Sequence, residues 1–222
     1  GLAIAERLSR SYENIIVVEK ENTFGQHVSS RNSEVIHSGF YYPKNSFKSN
    51  LCINGNIMLY DFADKYHINY KKCGKLIVIN DKKEEKELIE IKNHALNCGL
   101  SNLKILNREE SMKIEPKVNC YKSLFISTAG IIDSHGLMAK LEYLSKLKAV
   151  DFLYQSKITS ICKKDDVYQI FLNDNCDYLK SDIIINAAGL WSDKISNMIG
   201  LNNYQLEYYK GDYFKSRSLK NL

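Results

Sequence analysis

The run Ser29-Ser30-Arg31-Asn32-Ser33-Glu34-Val35-Ile36-His37-Ser38-Gly39-Phe40-Tyr41-Tyr42 gathers hydroxyls, an amide, a guanidinium, a histidine and two phenols into one stretch. Neither a core strand nor a surface helix has a use for that mixture. A pocket that must hydrogen-bond a polar heteroaromatic ring and a small acid has one. A second segment, Asp182-Ile183-Ile184-Ile185-Asn186-Ala187-Ala188-Gly189-Leu190-Trp191-Ser192-Asp193, sends an apolar strand into two alanines and a glycine. Small residues there let the backbone approach a ligand at the carboxyl end of a parallel strand, where such ligands bind. The same residues also suit a tight strand-to-helix turn that needs glycine for its backbone angles.

The elements that must position these segments begin at the first residue. Gly1-Leu2-Ala3-Ile4-Ala5-Glu6-Arg7-Leu8 leads to Asn14-Ile15-Ile16-Val17-Val18-Glu19, which reads as helix, turn and strand: the back half of a βαβ unit. In dinucleotide-binding folds the last glycine of the Gly-rich turn opens the helix. An acidic residue about twenty positions on accepts hydrogen bonds from ribose hydroxyls. Gly1 and Glu19 fit those roles, although a helix that starts with glycine and a strand that ends in glutamate are also commonplace. On the dinucleotide reading the first strand and the first two glycines precede residue 1, so the sequence is read as lacking its N-terminus.

The 222 residues suffice for one large domain or two small ones, and 44% hydrophobic with 26% charged residues is a soluble globular composition. Lys and Arg number 31 against 26 Asp and Glu, a net +5, but the basic residues are scattered (Lys71-Lys72, Lys82-Lys83, Lys163-Lys164). Nucleic acid needs a concentrated basic face, so no nucleic-acid partner is expected. No apolar run reaches the length of a membrane span. Cys52, Cys73, Cys98, Cys120, Cys162 and Cys176 form no C-x-x-C pair and no Cys/His cluster with zinc spacing, so reduced thiols and no metal are expected.

Periodicity predicts a helix over 1–11, a strand over 14–19 and a polar loop over 25–42. A helix over 46–66 follows, with Leu51, Met58 and Phe62 on one face. A strand over 75–79 is introduced by Gly74. Helices are expected over 82–98 and 108–115, with short strand pieces at 124–126 and 130–132. Ser134 then starts a helix to about residue 147, with Asp133 read as a turn or capping residue and His135 as serving the helix start. Alternation near 151–163 and 166–180 predicts antiparallel strands turning at Lys164-Asp165-Asp166. Ile183-Ile184-Ile185 reads as the centre of a parallel sheet.

Several of these motifs, in this order, resemble the flavoprotein oxidoreductases of the D-amino-acid oxidase superfamily, and within it the L-2-hydroxyglutarate oxidase/dehydrogenase family. They are Gly-Leu-Ala-Ile-Ala at 1–5, Glu-Lys at 19–20, Gly-Gln-His at 25–27 and Ser-Ser-Arg-Asn-Ser-Glu-Val-Ile-His at 29–37. Gly-Phe-Tyr-Tyr-Pro at 39–43, Cys-Gly-Lys-Leu-Ile-Val at 73–78, Gly-Ile-Ile-Asp-Ser-His at 130–135 and Asn-Ala-Ala-Gly-Leu-Trp at 186–191 complete the set. Ser38 stands where the family more often has alanine. Family members also continue well past residue 222, so the sequence resembles an internal piece.

The resemblance implies an α/β fold: a Rossmann-like FAD-binding domain of the glutathione-reductase type, interleaved with an α+β substrate domain containing an antiparallel sheet. The implied plan is 1–70 and 129–200 for FAD, 71–128 for substrate, and 201–222 for the start of a return to the substrate domain. It also implies FAD-dependent oxidation of L-2-hydroxyglutarate to 2-oxoglutarate. On that reading Gly1, Glu19, Lys20, Ser29, Ser30, Arg31, Asn32, Ser33, Ala188, Gly189 and Trp191 contact the cofactor. Arg31 could instead pin Glu34 or another acid structurally. A base must take the hydroxyl proton, and histidine titrates near neutrality. His37 is the first candidate and His27 the second, with a purely hydrogen-bonding role open for His37. Tyr41, Tyr42 and Lys75 would hold the dicarboxylate, Lys75 being also compatible with an ordinary strand lysine. Electrons would pass to oxygen, a quinone or an electron-transfer flavoprotein, in the cytoplasm or at the inner face of a membrane through peripheral association. Two alternatives remain: a sister enzyme acting on glycerol 3-phosphate or an amino acid, and a truncated, non-catalytic product unable to bind FAD.

Overall fold

The computed structural model describes residues 1–212, so residues 213–222 of the predicted 201–222 segment lie outside the described residues. The chain forms two compact units, Gly1–Val28 with the chain from Ser145 on, and Ser29–Leu144. The first unit opens with α1 (Leu2–Leu8) and β1 (Ile16–Val18).

The second unit carries β2 (Val35–Ile36), α2 (Phe47–Tyr66), β3 (Tyr70–Lys71), β4 (Lys75–Ile79), α3 (Glu85–Asn97) and β5 (Lys104–Asn107). It continues through α4 (Arg108–Ile114), β6 (Lys122–Ile126) and β7 (Gly130–Ile132) into α5 (Ser134–Lys146). Its two sheets are antiparallel, in orders β2-β7-β3 and β4-β6-β5. Helices α2 and α4 start where side chains satisfy the first free N–H groups. Ser46 accepts from the Ser49 N–H ahead of α2, and Asn107 with Glu110 forms a reciprocal capping box at α4. Asp81 with Glu84 does the same for the short 3-10 turn Lys82–Glu84 that leads into α3. Phe40, Ile79, Leu88, Leu124 and Ile126 form one apolar cluster; Ile36, Tyr60, Ala63, Ile68 and Ile132 form another.

The first unit resumes with β8 (Asp151–Leu153), β9 (Ile158–Lys164), β10 (Val167–Leu172), β11 (Tyr178–Ser181) and α6 (Ser192–Met198). β8 pairs in parallel with β1, while β9, β10 and β11 form an antiparallel sheet in the order β11-β10-β9. The β9–β10 hairpin turns at Asp165 and Asp166, with φ of 50° and 63°. Left-handed angles at both positions match the twist of the strands they join, and aspartate tolerates them. The mixed architecture of helices, a parallel strand pair and antiparallel sheets is the α/β fold expected.

Three local expectations are corrected. Residues 151–163 are not one antiparallel strand: the chain breaks at Gln155, whose φ is 53°, and β8 goes to β1 instead. Ile183–Ile185 form no strand: they pair with none of the described strands, and Ile183 and Ile185 are exposed. On α2, Leu51 and Met58 face solvent while Ser49, Asn56, Tyr60 and Ala63 are buried. Buried amides and phenols are tolerated when hydrogen-bonded, and those of α2 all find partners.

Candidate functional site

In the first unit, the segments singled out for the cofactor come together. Gly1 precedes α1 and lies beside the 186–188 turn, so that a Cβ there would stand 3.9 Å from the Ala187 Cβ. β1 delivers Glu19, whose N–H donates to the Leu153 carbonyl and whose carboxylate accepts from the Glu21 N–H at 3.0 Å. The Gln155 and Ser156 N–H groups donate to the carbonyls of Glu21 and Glu19, which ties the turn down on both sides. Ala188 begins the 3-10 turn Gly189–Trp191, its N–H held by the Asn186 side chain at 3.2 Å. Gly189 has open space about it.

Trp191, the only tryptophan of the chain, is flanked by two of the predicted residues. The Lys20 ammonium lies 3.3 Å from its ring centroid, and the His27 ring meets it edge-on at 4.6 Å. His27 Nε2 is 2.8 Å from Glu21 Oε1, and Lys20 Nζ is 3.5 Å from the same oxygen. The His27 hydrogen bond holds the Glu21 carboxyl below its ordinary range, with the charges of His27 and Lys20 adding to the effect. Glu21 carried no signal in the sequence, because its role depends on a histidine six residues on and a tryptophan far down the chain.

In the second unit, Asn32 folds the polar run on itself, donating to the Ser29 carbonyl and accepting from the Glu34 N–H, both at 2.8 Å. Ser30 lies in the 3-10 turn Val28–Ser30, and Arg31 and Ser33 are exposed. Glu34 does not pair with Arg31. Its carboxylate accepts from the Ser134 hydroxyl at 2.7 Å and the Ser134 N–H at 3.1 Å, and these bonds lower its pKa. Asp133 accepts from the Gly136 N–H at the start of α5, the capping role expected of it.

His37 exposes its ring while its carbonyl is anchored by Asn56 Nδ2 at 3.0 Å. The same nitrogen donates to the Thr128 carbonyl at 3.0 Å, which the Tyr60 hydroxyl also reaches at 3.1 Å. One amide thus joins the polar run to the β6–β7 turn. Asn56 was missed because a polar residue at helical spacing from Tyr60 reads as a solvent face.

Tyr41 and Lys75 meet, the ammonium 4.6 Å from the ring centroid, and both line a groove of about 610 Å³ with Phe40, Ile77, Glu90 and His94. Two glycines make this approach fit. Gly39 has φ +86°, and a Cβ there would fall 2.7 Å from the Ile53 side chain of α2. Gly74 has φ +73° just before β4, with the Phe125 ring where its Cβ would be. Tyr42 turns elsewhere: Lys48 sits over its ring at 4.3 Å and His94 Nε2 is 3.3 Å from its carbonyl. His94 was another omission, since nothing in a charged amphipathic helix marks one histidine. A larger hollow, about 700 Å³, is lined by Asn107, Arg108 and Tyr121 and contains none of the predicted residues.

The profile of the FAD dependent oxidoreductase family matches residues 1–221. The chain belongs to that family. FAD is the family's cofactor, and the seam of small residues at 187–189 and Gly1, beside the acidic end of β1, fits a dinucleotide. Among relatives of this FAD-dependent oxidoreductase chain, the mitochondrial L-2-hydroxyglutarate dehydrogenase of Arabidopsis thaliana is 38% identical over 64% of the chain and 29% of its own length. That of Bos taurus is 30% identical over 96% and 49%, and a glycerol 3-phosphate dehydrogenase of Caloramator mitchellensis 29% identical over 96% and 45%. The chain therefore spans less than half the length of these relatives. In structure it is similar to FAD-bound L-alpha-glycerophosphate oxidase of Mycoplasma pneumoniae, with TM-score 0.83, 26% identity, and coverage of 89% of this chain and 53% of that one. None of the described helices is long and apolar enough to cross a membrane.

Proposed function

We propose that the protein to which this chain belongs oxidises the C2 hydroxyl of L-2-hydroxyglutarate to give 2-oxoglutarate. The observation that carries the reading is the meeting of Tyr41 and Lys75 over one groove, on segments far apart in sequence. An ammonium beside a phenol supplies a charge-assisted partner and a neutral donor for a carboxylate. Support for the substrate comes from the dehydrogenases of Arabidopsis thaliana and Bos taurus.

Bound FAD supplies the hydride acceptor. Gly1, Glu19, Lys20, Ala188, Gly189 and Trp191 would hold its nucleotide end, with Ser29, Ser30, Arg31, Asn32 and Ser33 from the polar run. His37 would take the hydroxyl proton: its ring is open to solvent while its backbone is pinned by Asn56, which places a base without occupying its ring. Lys75, Tyr41 and Tyr42 would orient the acid. Residues 1–70 and 129–200 would serve the cofactor, with 71–128 serving the substrate. Electrons would leave to oxygen, a quinone or an electron-transfer flavoprotein, the last two compatible with peripheral attachment to a membrane.

The test is anaerobic addition of L-2-hydroxyglutarate to the purified full-length protein. Bleaching of the flavin band at about 450 nm is expected, since hydride transfer reduces the flavin directly. A band that persists with this acid but bleaches with glycerol 3-phosphate would replace the substrate. That second reading is favoured by the Caloramator mitchellensis and Mycoplasma pneumoniae relatives.

A further inference from the structure

Four side chains of the first unit close a ring of contacts. Glu21 meets His27 at 2.8 Å, His27 meets Trp191 at 4.6 Å between centroids, Trp191 lies 3.3 Å under Lys20 Nζ, and Lys20 returns to Glu21 at 3.5 Å. Three members sit on the turn after β1, and the fourth belongs to the 3-10 turn Gly189–Trp191. The Lys20, Glu21 and His27 side chains are 32–38% exposed, where any one ion pair or cation–π contact is weak alone. A closed ring behaves differently. Glu21 holds Lys20 and His27 by one oxygen, so releasing it loosens both of their contacts with the indole together.

We propose that Glu21, His27, Trp191 and Lys20 form a clasp that sets the spacing between the strand end at Glu19 and the small-residue turn at 187–189, and thereby the affinity for FAD. It rests on the reading of these two segments as the nucleotide end of the cofactor site. Glu21 and His27 are positioning residues in this scheme. His27 is engaged on one ring nitrogen by Glu21 and on its edge by Trp191, so its work is to hold the indole. The backbone bonds from Gln155 and Ser156 make the strand end a rigid anchor. The clasp then fixes the 189–191 turn against that anchor.

The experiment measures FAD affinity by flavin fluorescence in the full-length protein carrying Glu21→Ala, His27→Ala, both together, Glu21→Gln and Lys20→Met. Each alanine variant is expected to raise the FAD Kd about 10-fold, and the double variant by the same factor, because opening the ring once opens it fully. Glu21→Gln keeps an oxygen acceptor for His27, so a Kd within about 3-fold of the parent is expected. A merely structural role for Glu21 would not give this rescue at unchanged melting temperature. Lys20→Met removes both a ring member and a proposed FAD contact, so a loss of at least about 10-fold is expected even if an alanine variant fails to fold, and an unchanged Kd would overturn the clasp. Unchanged affinity in the single variants, or a roughly 100-fold, multiplicative loss in the double, overturns the clasp while leaving the FAD site in place. A parent protein that takes up no FAD overturns the site reading and the clasp with it.

Discussion

Residues 29–144 bury Leu88, Leu124, Ile126 and Phe40 almost completely, whereas the unit around β1 and β8 leaves Ile16 at 42%, Ile183 at 69% and Ile185 at 49% exposure. Among the described residues the large buried clusters lie in the second unit, whereas the first buries Val150, Ile161 and Ile170 outside those clusters. Parallel strands are usually covered on both faces. The β1–β8 pair is three residues long, and Ile16 at its start meets water. The contrast separates two ways of staying ordered. One region rests on its own side-chain packing; the other gathers small residues, backbone hydrogen bonds and a few charged contacts around a place suited to a ligand.

The largest expected effect compares cores directly. Leu124→Ala should cost about 2–5 kcal/mol by denaturant unfolding, through lost burial and the cavity left behind. Ile183→Ala should fall within about 0.5 kcal/mol, being on the surface. Equal costs would erase the distinction. FAD at a hundredfold over its Kd should raise the stability of whatever binds it by about 2.7 kcal/mol. Hydrogen exchange should show that gain mainly in 14–21 and 186–191, and uniform protection would contradict the division. Gly74→Ala should destabilise by about 1–3 kcal/mol, since its backbone angle and the Phe125 ring both exclude a methyl group. The loss should come with weaker substrate binding through displaced Lys75.

A pH dependence sharpens the second unit further. The Glu34 pKa is lowered by Ser134, so its contribution is present above the unfolded carboxyl value and is lost as pH falls through the folded one. Glu34→Gln should therefore lower stability near neutrality, where the ionised carboxylate holds Ser134, and flatten the acid limb below about pH 4.5, so that the two profiles converge in acid. The smallest effect concerns Ser38, buried with an unpartnered hydroxyl. Ser38→Ala should leave stability equal or higher by up to about 1 kcal/mol, because it removes a desolvated polar group.

Much of this contrast was legible before any coordinates. Gly74 followed by Lys75–Ile79, the charged helix before Gly99 and the Asp165-Asp166 turn depend on neighbours within a few residues, and each appears as read. Lys75 with Tyr41 was legible through motif order, although their contact depends on Gly39 and Gly74 admitting close neighbours. The buried face of α2 was not, because Asn56 and Tyr60 are satisfied by carbonyls of residues 37 and 128, and such partners leave no local pattern. Ile183–Ile185 misled for the opposite reason. Hydrophobicity names a preference for burial, but a strand also needs a partner, and these residues pair with none of the described strands.

Asn56 carries one more consequence, for the chemical ageing of the protein. Both hydrogens of its amide point at carbonyl oxygens, so hydrolysis of that amide would replace two donors with a carboxylate facing two acceptors. A change of one atom would turn the tie between the polar run and the β6–β7 turn into a repulsion. The bulk of Ile57 shields Asn56 from the backbone attack that starts such hydrolysis, whereas Asn54, followed by Gly55, has only its helix for protection. Long storage should therefore damage Asn54 first and spare the tie for as long as α2 stays wound.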